Sequence, residues 1–441
     1  MSLRTSLGWV GLIPLGALLC LAQSASAYPP GGASALDQRL WVGDAAGARD
    51  TLRVVDLDDN TAKMVEAQKS YNFKKLLTLS LSCRDDDMKR NYLPQALSCN
   101  TVAYRAALVL ADTHQIFSTL SWAKQAGFPA KERAGGGRST FGNAFDQADV
   151  VQLAKSVSPT EERLAPGRTT IPYTNASNVT SMGSGGDMSQ RAGNLQTVPA
   201  VNVSINEKNI EAVADTGLSY SIVMDQLHAD ALGVTTLVKG LPPLPTLGRD
   251  SVGADQRFGL AKELTLGPLT LRNVMVVVVP SGNFTTDRVV LGLPLLARLK
   301  QFSFEESGIV VGQASRECKS PMVLSFASSW NEDGKLVFDA QADGKTVKAS
   351  VDTGAAPPLV AGTQLQPLGA AETGGSAVPA ETRYLKVNVG GKALSYEDTP
   401  VISTLEFPAF LVGAPILATS DLQFDFDKTS LCIVPRSTKD S

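Results

Sequence analysis

The spacing of apolar side chains changes character twice along this chain. Across 34–157, apolar positions such as Leu76, Leu77, Leu79 and Leu81, then Leu108, Leu110, Ile116, Phe117 and Leu120, fall in long segments rich in Ala, Lys and Gln. That texture predicts helices. Asn100 suits an N-cap for a segment running to Gln125, with Gly127 and Pro129 to stop it. Across 159–197 the periodicity is lost, and 174–194 is mostly Ser, Thr, Asn, Gly, Met and Gln, so a flexible linker is predicted there. From Val198 onward short alternating strands take over. Val201, Val203 and Ile205 alternate with polar residues, Leu264, Leu266, Leu269 and Leu271 flank a Gly267-Pro268 turn, and 274–279 reads as a buried strand.

The strand-rich part repeats itself. One copy holds Ala212-Val213-Ala214-Asp215-Thr216-Gly217 and the other Ala349-Ser350-Val351-Asp352-Thr353-Gly354, 137 positions later. A hairpin turn precedes each, at Asn206-Glu207-Lys208-Asn209 and at Asp343-Gly344-Lys345-Thr346. An apolar signature follows each, Val290-Leu291-Gly292-Leu293-Pro294 and Leu411-Val412-Gly413-Ala414-Pro415. Both copies close on alternating aromatics, Phe302 and Phe304, then Phe424 and Phe426. The expected organisation is therefore a leader over 1–27, a helical domain over 28–158, a linker over 159–197, a first lobe over 198–315 and a second over 316–437. The fold class expected is α+β and multidomain: a small all-α domain, then a mainly β, two-lobed domain.

Composition narrows the chemistry. The chain has 441 residues, is 43% hydrophobic and 19% charged, and carries a formal net charge of −3. Nothing in that balance points to nucleic acid. Arg4, the apolar run over 9–22 and Ala25-Ser26-Ala27 have the form of a cleaved signal, too short for a membrane span. No stable membrane span is expected after cleavage, and the chain is expected to be exported, periplasmic or secreted. The cysteines beyond the leader are Cys83, Cys99, Cys318 and Cys432. Their positions suggest the bridges Cys83–Cys99 and Cys318–Cys432, with buried thiols as the other reading. With no C-x-x-C pair and only His114 and His228, neither a zinc site nor a histidine-based nucleophile is expected, and no cofactor is implied.

What remains is carboxylate chemistry. A β-rich strand runs into each Asp-Thr-Gly, which would set the aspartate on a tight turn that the glycine permits. Two such loops from two similar lobes would bring Asp215 and Asp352 face to face. Like charges that close cannot both ionise, so one carboxyl keeps a proton while the other is a base, and a water between them is activated. On these residues the chain resembles the aspartic proteases, particularly bacterial retropepsin-like ones, with two lobes fused in one chain.

The resemblance covers 198–435. It implies double-ψ β-barrel lobes, catalytic Asp215 and Asp352, and loop support from Thr216, Gly217, Ser219, Thr353, Gly354, Gly292 and Gly413. It also implies a protein or peptide substrate, and a flap hinged at Gly248 and Gly253. This chain departs from pepsin-like members in having Leu218 and Ala355 where a hydroxyl follows the triplet, and Ala356-Pro357-Pro358 in place of a polar run. Those departures keep a second reading open, a catalytically inactive module that recognises peptides or a protein partner. They also favour working in weak acid, because a carboxylate with fewer donors holds its proton more tightly. The helical domain is expected either to bind a partner or to act as an inhibitory pro-segment.

Overall fold

The structure, a computed structural model, describes residues 60–126, 150–174, 198–239, 256–280, 289–327, 335–355, 357–362, 365, 381–401 and 408–436. The predicted leader, the Gly127 and Pro129 stop, and the stretch 175–197 lie outside the described residues.

The helical part comprises α1 (Asn60–Lys69), α2 (Phe73–Lys89), α3 (Leu93–Val109), α4 (Thr113–Gln125) and α5 (Val150–Ser156). Asn72 caps α2 by accepting from the Lys75 N–H at 3.1 Å, and Asp112 caps α4 by accepting from the Gln115 N–H at 3.2 Å. Asn100 does not start a helix. It lies within α3, fully buried, donating to the Thr119 carbonyl at 3.1 Å and accepting from Arg84 at 3.2 Å. Neighbouring helices satisfy its amide, so it has no need of a terminus. Cys83 and Cys99 form a disulfide that joins α2 to α3.

The predicted linker holds two strands. These are β1 (Glu161–Leu164) and β2 (Thr169–Pro172). The first lobe follows: β3 (Ala200–Ile205), β4 (Lys208–Asp215), β5 (Ile222–Asp225), α6 (Gln226–Ala231), β6 (Thr235–Lys239), β7 (Arg257–Leu266), β8 (Leu269–Val279), β9 (Val289–Gly292), α7 (Leu293–Leu296), β10 (Gln301–Phe304) and β11 (Gly308–Val311). The second lobe comprises β12 (Met322–Val323), β13 (Ser325–Ala327), β14 (Lys335–Ala342), β15 (Lys345–Asp352), β16 (Leu359–Ala361), β17 (Glu381–Val389), β18 (Lys392–Val401), β19 (Phe410–Gly413), β20 (Ser420–Asp425) and β21 (Ser430–Pro435).

Each lobe closes on itself. In the first, the order β8-β5-β9-β4-β3-β7 returns to β8 through the β7–β8 hairpin. In the second, β14-β15-β19-β16-β18-β17 returns to β14. Closure removes free edges and leaves an apolar interior of alternating side chains. A third sheet, β12-β21-β20-β10-β11-β2, spans the lobes, with Phe302 of β10 opposite Phe424 of β20. Their rings stack at 5.0 Å, which is why the alternating aromatics recur at the end of each copy. Cys318 and Cys432 are bridged beside this sheet.

The helices and the linker strands are part of this packing. β1 pairs with β8 and β2 with β11. Glu162 of β1 takes the buried Arg298 at 2.9 Å and Lys74 of α2 at 3.0 Å. The turn before α4 joins β8, where the Met275 N–H donates to the Ala111 carbonyl at 3.1 Å and Thr113 donates to the Asn273 carbonyl at 3.0 Å. Phe117 meets Phe258 of the first lobe edge-on, while Tyr71 and Phe73 pack on Phe326 of the second. One apolar core runs through all three regions. The expectation of a linker over 159–197 is therefore corrected for 161–172. Strands this short carry no alternation of their own, and their partners define them.

Removal of residues 1–197 should strip β1 and β2 from two sheets and uncover Phe258, Phe326 and the apolar face of β8. The fragment 198–441 should be insoluble or lack a cooperative thermal transition. A soluble fragment melting at the temperature of the full chain would show that the helices contribute nothing to the fold.

Candidate active site

Asp215 ends β4 and Asp352 ends β15. The three residues before each aspartate are buried, and each strand runs parallel to the strand carrying the second signature. Asp215 is level with Gly292 of β9, and Asp352 with Gly413 of β19. After each triplet the chain crosses over that glycine. A Cβ on Gly292 would collide with the Tyr220 carbonyl, and one on Gly413 with the Pro357 carbonyl. The crossing is fastened by backbone bonds that match between lobes. The Gly292 N–H donates to Ser221 O at 2.9 Å and Leu293 N–H to Leu218 O at 3.1 Å; Gly413 N–H donates to Pro358 O at 3.0 Å and Ala414 N–H to Ala355 O at 2.9 Å.

This symmetry explains why the Pro-Pro run in the second copy is tolerated. The loop is used through its carbonyls, and proline keeps its carbonyl while losing only an N–H. The segment Ala355, Pro357, Pro358 therefore occupies the same geometry as Leu218, Tyr220, Ser221.

The threonines lock the two loops together. The Thr216 N–H donates to Thr353 Oγ1 at 3.0 Å, and the Thr353 N–H donates to Thr216 Oγ1 at 3.1 Å. Each hydroxyl then donates across the interface, Thr216 to Val351 O at 2.8 Å and Thr353 to Ala214 O at 2.7 Å. Both side chains are buried, so every polar atom in this knot needs its partner. Gly217 and Gly354 are small for a related reason. A Cβ on Gly217 would run into the Asp352 carboxyl, and one on Gly354 into the Asp215 carboxyl.

The two carboxyls meet across the interface, each lying against the glycine of the opposite loop. Asp215 Oδ1 accepts from the Gly217 N–H at 2.7 Å, while Asp352 Oδ1 accepts from the N–H groups of Gly354 and Ala355, both at 3.0 Å. Enclosure by protein pushes the proton affinity of Asp215 up, to about 8, and the charge of Asp352 adds to this. A lysine missed in the sequence, Lys335, lies beside the pair with its ammonium on the Gly217 carbonyl at 2.5 Å. Its signal was available, since the repeat register sets it against Val198.

The remaining expected site residues are placed as follows. Ser219 lies half-buried on the first loop. Gly248 and Gly253, the expected flap hinges, lie outside the described residues. Among the described residues the grouping of possible metal ligands is Cys83, Asp87 and Cys99, and both sulfurs are taken up in the disulfide. Among the described residues no helix is long and apolar enough to cross a membrane.

The raised affinity of Asp215 has a consequence for stability. The folded state holds this proton to a higher pH than the unfolded chain does, so the stability it contributes is complete below about pH 4 and is lost as pH rises toward 8. Asp215→Asn removes that titration. The variant's melting temperature should gain on the wild type progressively across the same window. A difference that stays constant with pH would show that Asp215 ionises as freely as in the unfolded chain.

Residues 201–295, from β3 to α7, match the family described as Aspartyl protease. Among solved structures, a retropepsin-like aspartic protease from Rickettsia conorii aligns at 18% identity over 34% of this chain and 92% of its own, with a TM-score of 0.21. Basic 7S globulin from soybean aligns at 12% identity over 62% of this chain and 94% of its own, with a TM-score of 0.33. No curated protein matches the chain.

Proposed function

We propose that this chain, of the aspartic protease family, is an endopeptidase that hydrolyses peptide bonds with a water held between Asp215 and Asp352. The observation that carries the reading is the meeting of the two carboxyls, each against the opposite loop's glycine, at the ends of matched strands. A pair so placed holds one proton and one negative charge. The ionised carboxylate takes a proton from water as its oxygen attacks the substrate carbonyl carbon. The protonated carboxyl gives its proton to the carbonyl oxygen. As the tetrahedral intermediate collapses and the C–N bond breaks, the protonated carboxyl gives its proton to the leaving amine while the ionised partner takes one from a hydroxyl of the intermediate, so the pair again holds a single proton.

Burial is the first cause of the raised proton affinity at Asp215, ahead of the neighbouring charge. The missing hydroxyls after the triplets favour a mild working pH, and enclosure supports the same direction. The two disulfides support action in an oxidising compartment outside the cytoplasm.

Cleavage of a peptide library by the wild type, Asp215→Asn and Asp352→Asn tests the reading. Each variant should lose at least about a hundredfold in rate while melting cooperatively, and the wild type should show a bell-shaped profile centred in weak acid. Substantial cleavage by either variant removes the dyad mechanism. A wild type that binds peptides without cutting them, equally well in both variants, is instead a recognition module.

A further inference from the structure

The two halves of the site share one backbone plan, and a buried charge stands on one side of it where the other side has an apolar residue. Ala200 faces Val213 across one hairpin and Val337 faces Ser350 across the other, the same offset of 137 that relates Thr216 to Thr353. That offset sets Lys335 against Val198. Val198 is buried in an apolar group with Val213 and Ala414. Lys335 is 8% exposed, and its ammonium crosses from the second lobe to the carbonyl of Gly217 in the first. A buried ammonium is costly without an anion close by. The frame accepts valine at the equivalent place, so packing does not demand a cation. What the ammonium reaches is the Gly217 turn, whose N–H holds Asp215 Oδ1.

We propose that Lys335 is a positioning residue of the dyad: its ammonium pins the Gly217 turn from the opposite lobe and draws the single negative charge of the pair toward Asp215. This deepens the endopeptidase reading and rests on it for its kinetic consequence. Gly217 also supplies the N–H that holds Asp215 Oδ1, so fixing this turn fixes the carboxylate. Burial and Asp352 raise the proton affinity of Asp215, and Lys335 opposes them. The other charged side chains on the adjoining strands are engaged or placed elsewhere. Lys348 pairs with Asp339 at 2.7 Å, Lys208 donates to the Ala231 carbonyl, Lys345 is exposed, and Glu211 is four residues back along β4. β9 and β19 carry no charged residue.

Carboxyl titration by NMR on aspartate-labelled protein separates the contributions. In Asp352→Asn, Asp215 titrates alone, and adding Lys335→Met should raise its midpoint by about one pH unit or more. In Asp215→Asn, the same change should move Asp352 by less. Lys335→Gln, which keeps a donor for the Gly217 carbonyl and removes only the charge, carries the titration should the methionine variant not fold. In otherwise wild-type enzyme, the charge-removing variant should shift both limbs of the kcat/KM profile to higher pH. An unmoved Asp215 midpoint, or an Asp352 that moves as far, overturns the proposal. A protein that titrates as expected but cuts no peptide overturns the endopeptidase reading and leaves the role of Lys335 standing.

Discussion

Two buried threonines decide how close the carboxyls come. Each Thr in the pair Thr216 and Thr353 accepts a backbone N–H from the opposite loop and donates its hydroxyl to a strand carbonyl there. Four bonds of 2.7–3.1 Å between buried groups leave the loops little freedom to part. The carboxyls are then held against each other's loops. Enclosure raises the proton affinity of Asp215 toward neutrality and the charge of Asp352 adds to it, while the neutral hydroxyl network is what keeps the two together.

That network can form only if two chain segments distant in sequence arrive in register. The frame achieves this twice over. Within each lobe, a glycine level with the aspartate lets the following loop cross directly above it. Between lobes, the six-stranded sheet aligns β10 with β20, and the Phe302, Phe424 and Phe426 rings stack along it. The helices bear on both lobes, through Phe117 on one side and Phe73 on the other.

The core of this arrangement was legible because the repeat in the sequence is the register of the structure. Positions 137 apart occupy equivalent places in the two hairpins, so motif spacing reads directly as geometry. The cysteines were legible by domain, and the helical texture by its period. β1 and β2 were not, because four residues of an edge strand have no pattern apart from the strand they join. Asn100 misled because its residue type favours helix starts, and tertiary partners overrode that preference. The Pro357-Pro358 departure looked like decay because side chains were compared, whereas the loop is used through backbone oxygens.

The same register exposes where symmetry ends. A site made by two identical chains must present identical groups to both carboxyls. A single chain with two lobes has no such obligation, and here the differences are concentrated at the dyad. Asp352 accepts two backbone N–H groups on Oδ1 where Asp215 accepts one, and a lysine stands on one side where a valine stands on the other. The reaction proposed for the pair asks two chemically identical residues to play different parts, one as base and one as acid. In a symmetric frame that difference has to be created by the substrate. In this chain the surroundings of the two carboxyls already differ, because an extra backbone donor serves Asp352 and a buried ammonium stands on the Gly217 turn, while the threonine network holds the carboxyls in equivalent places.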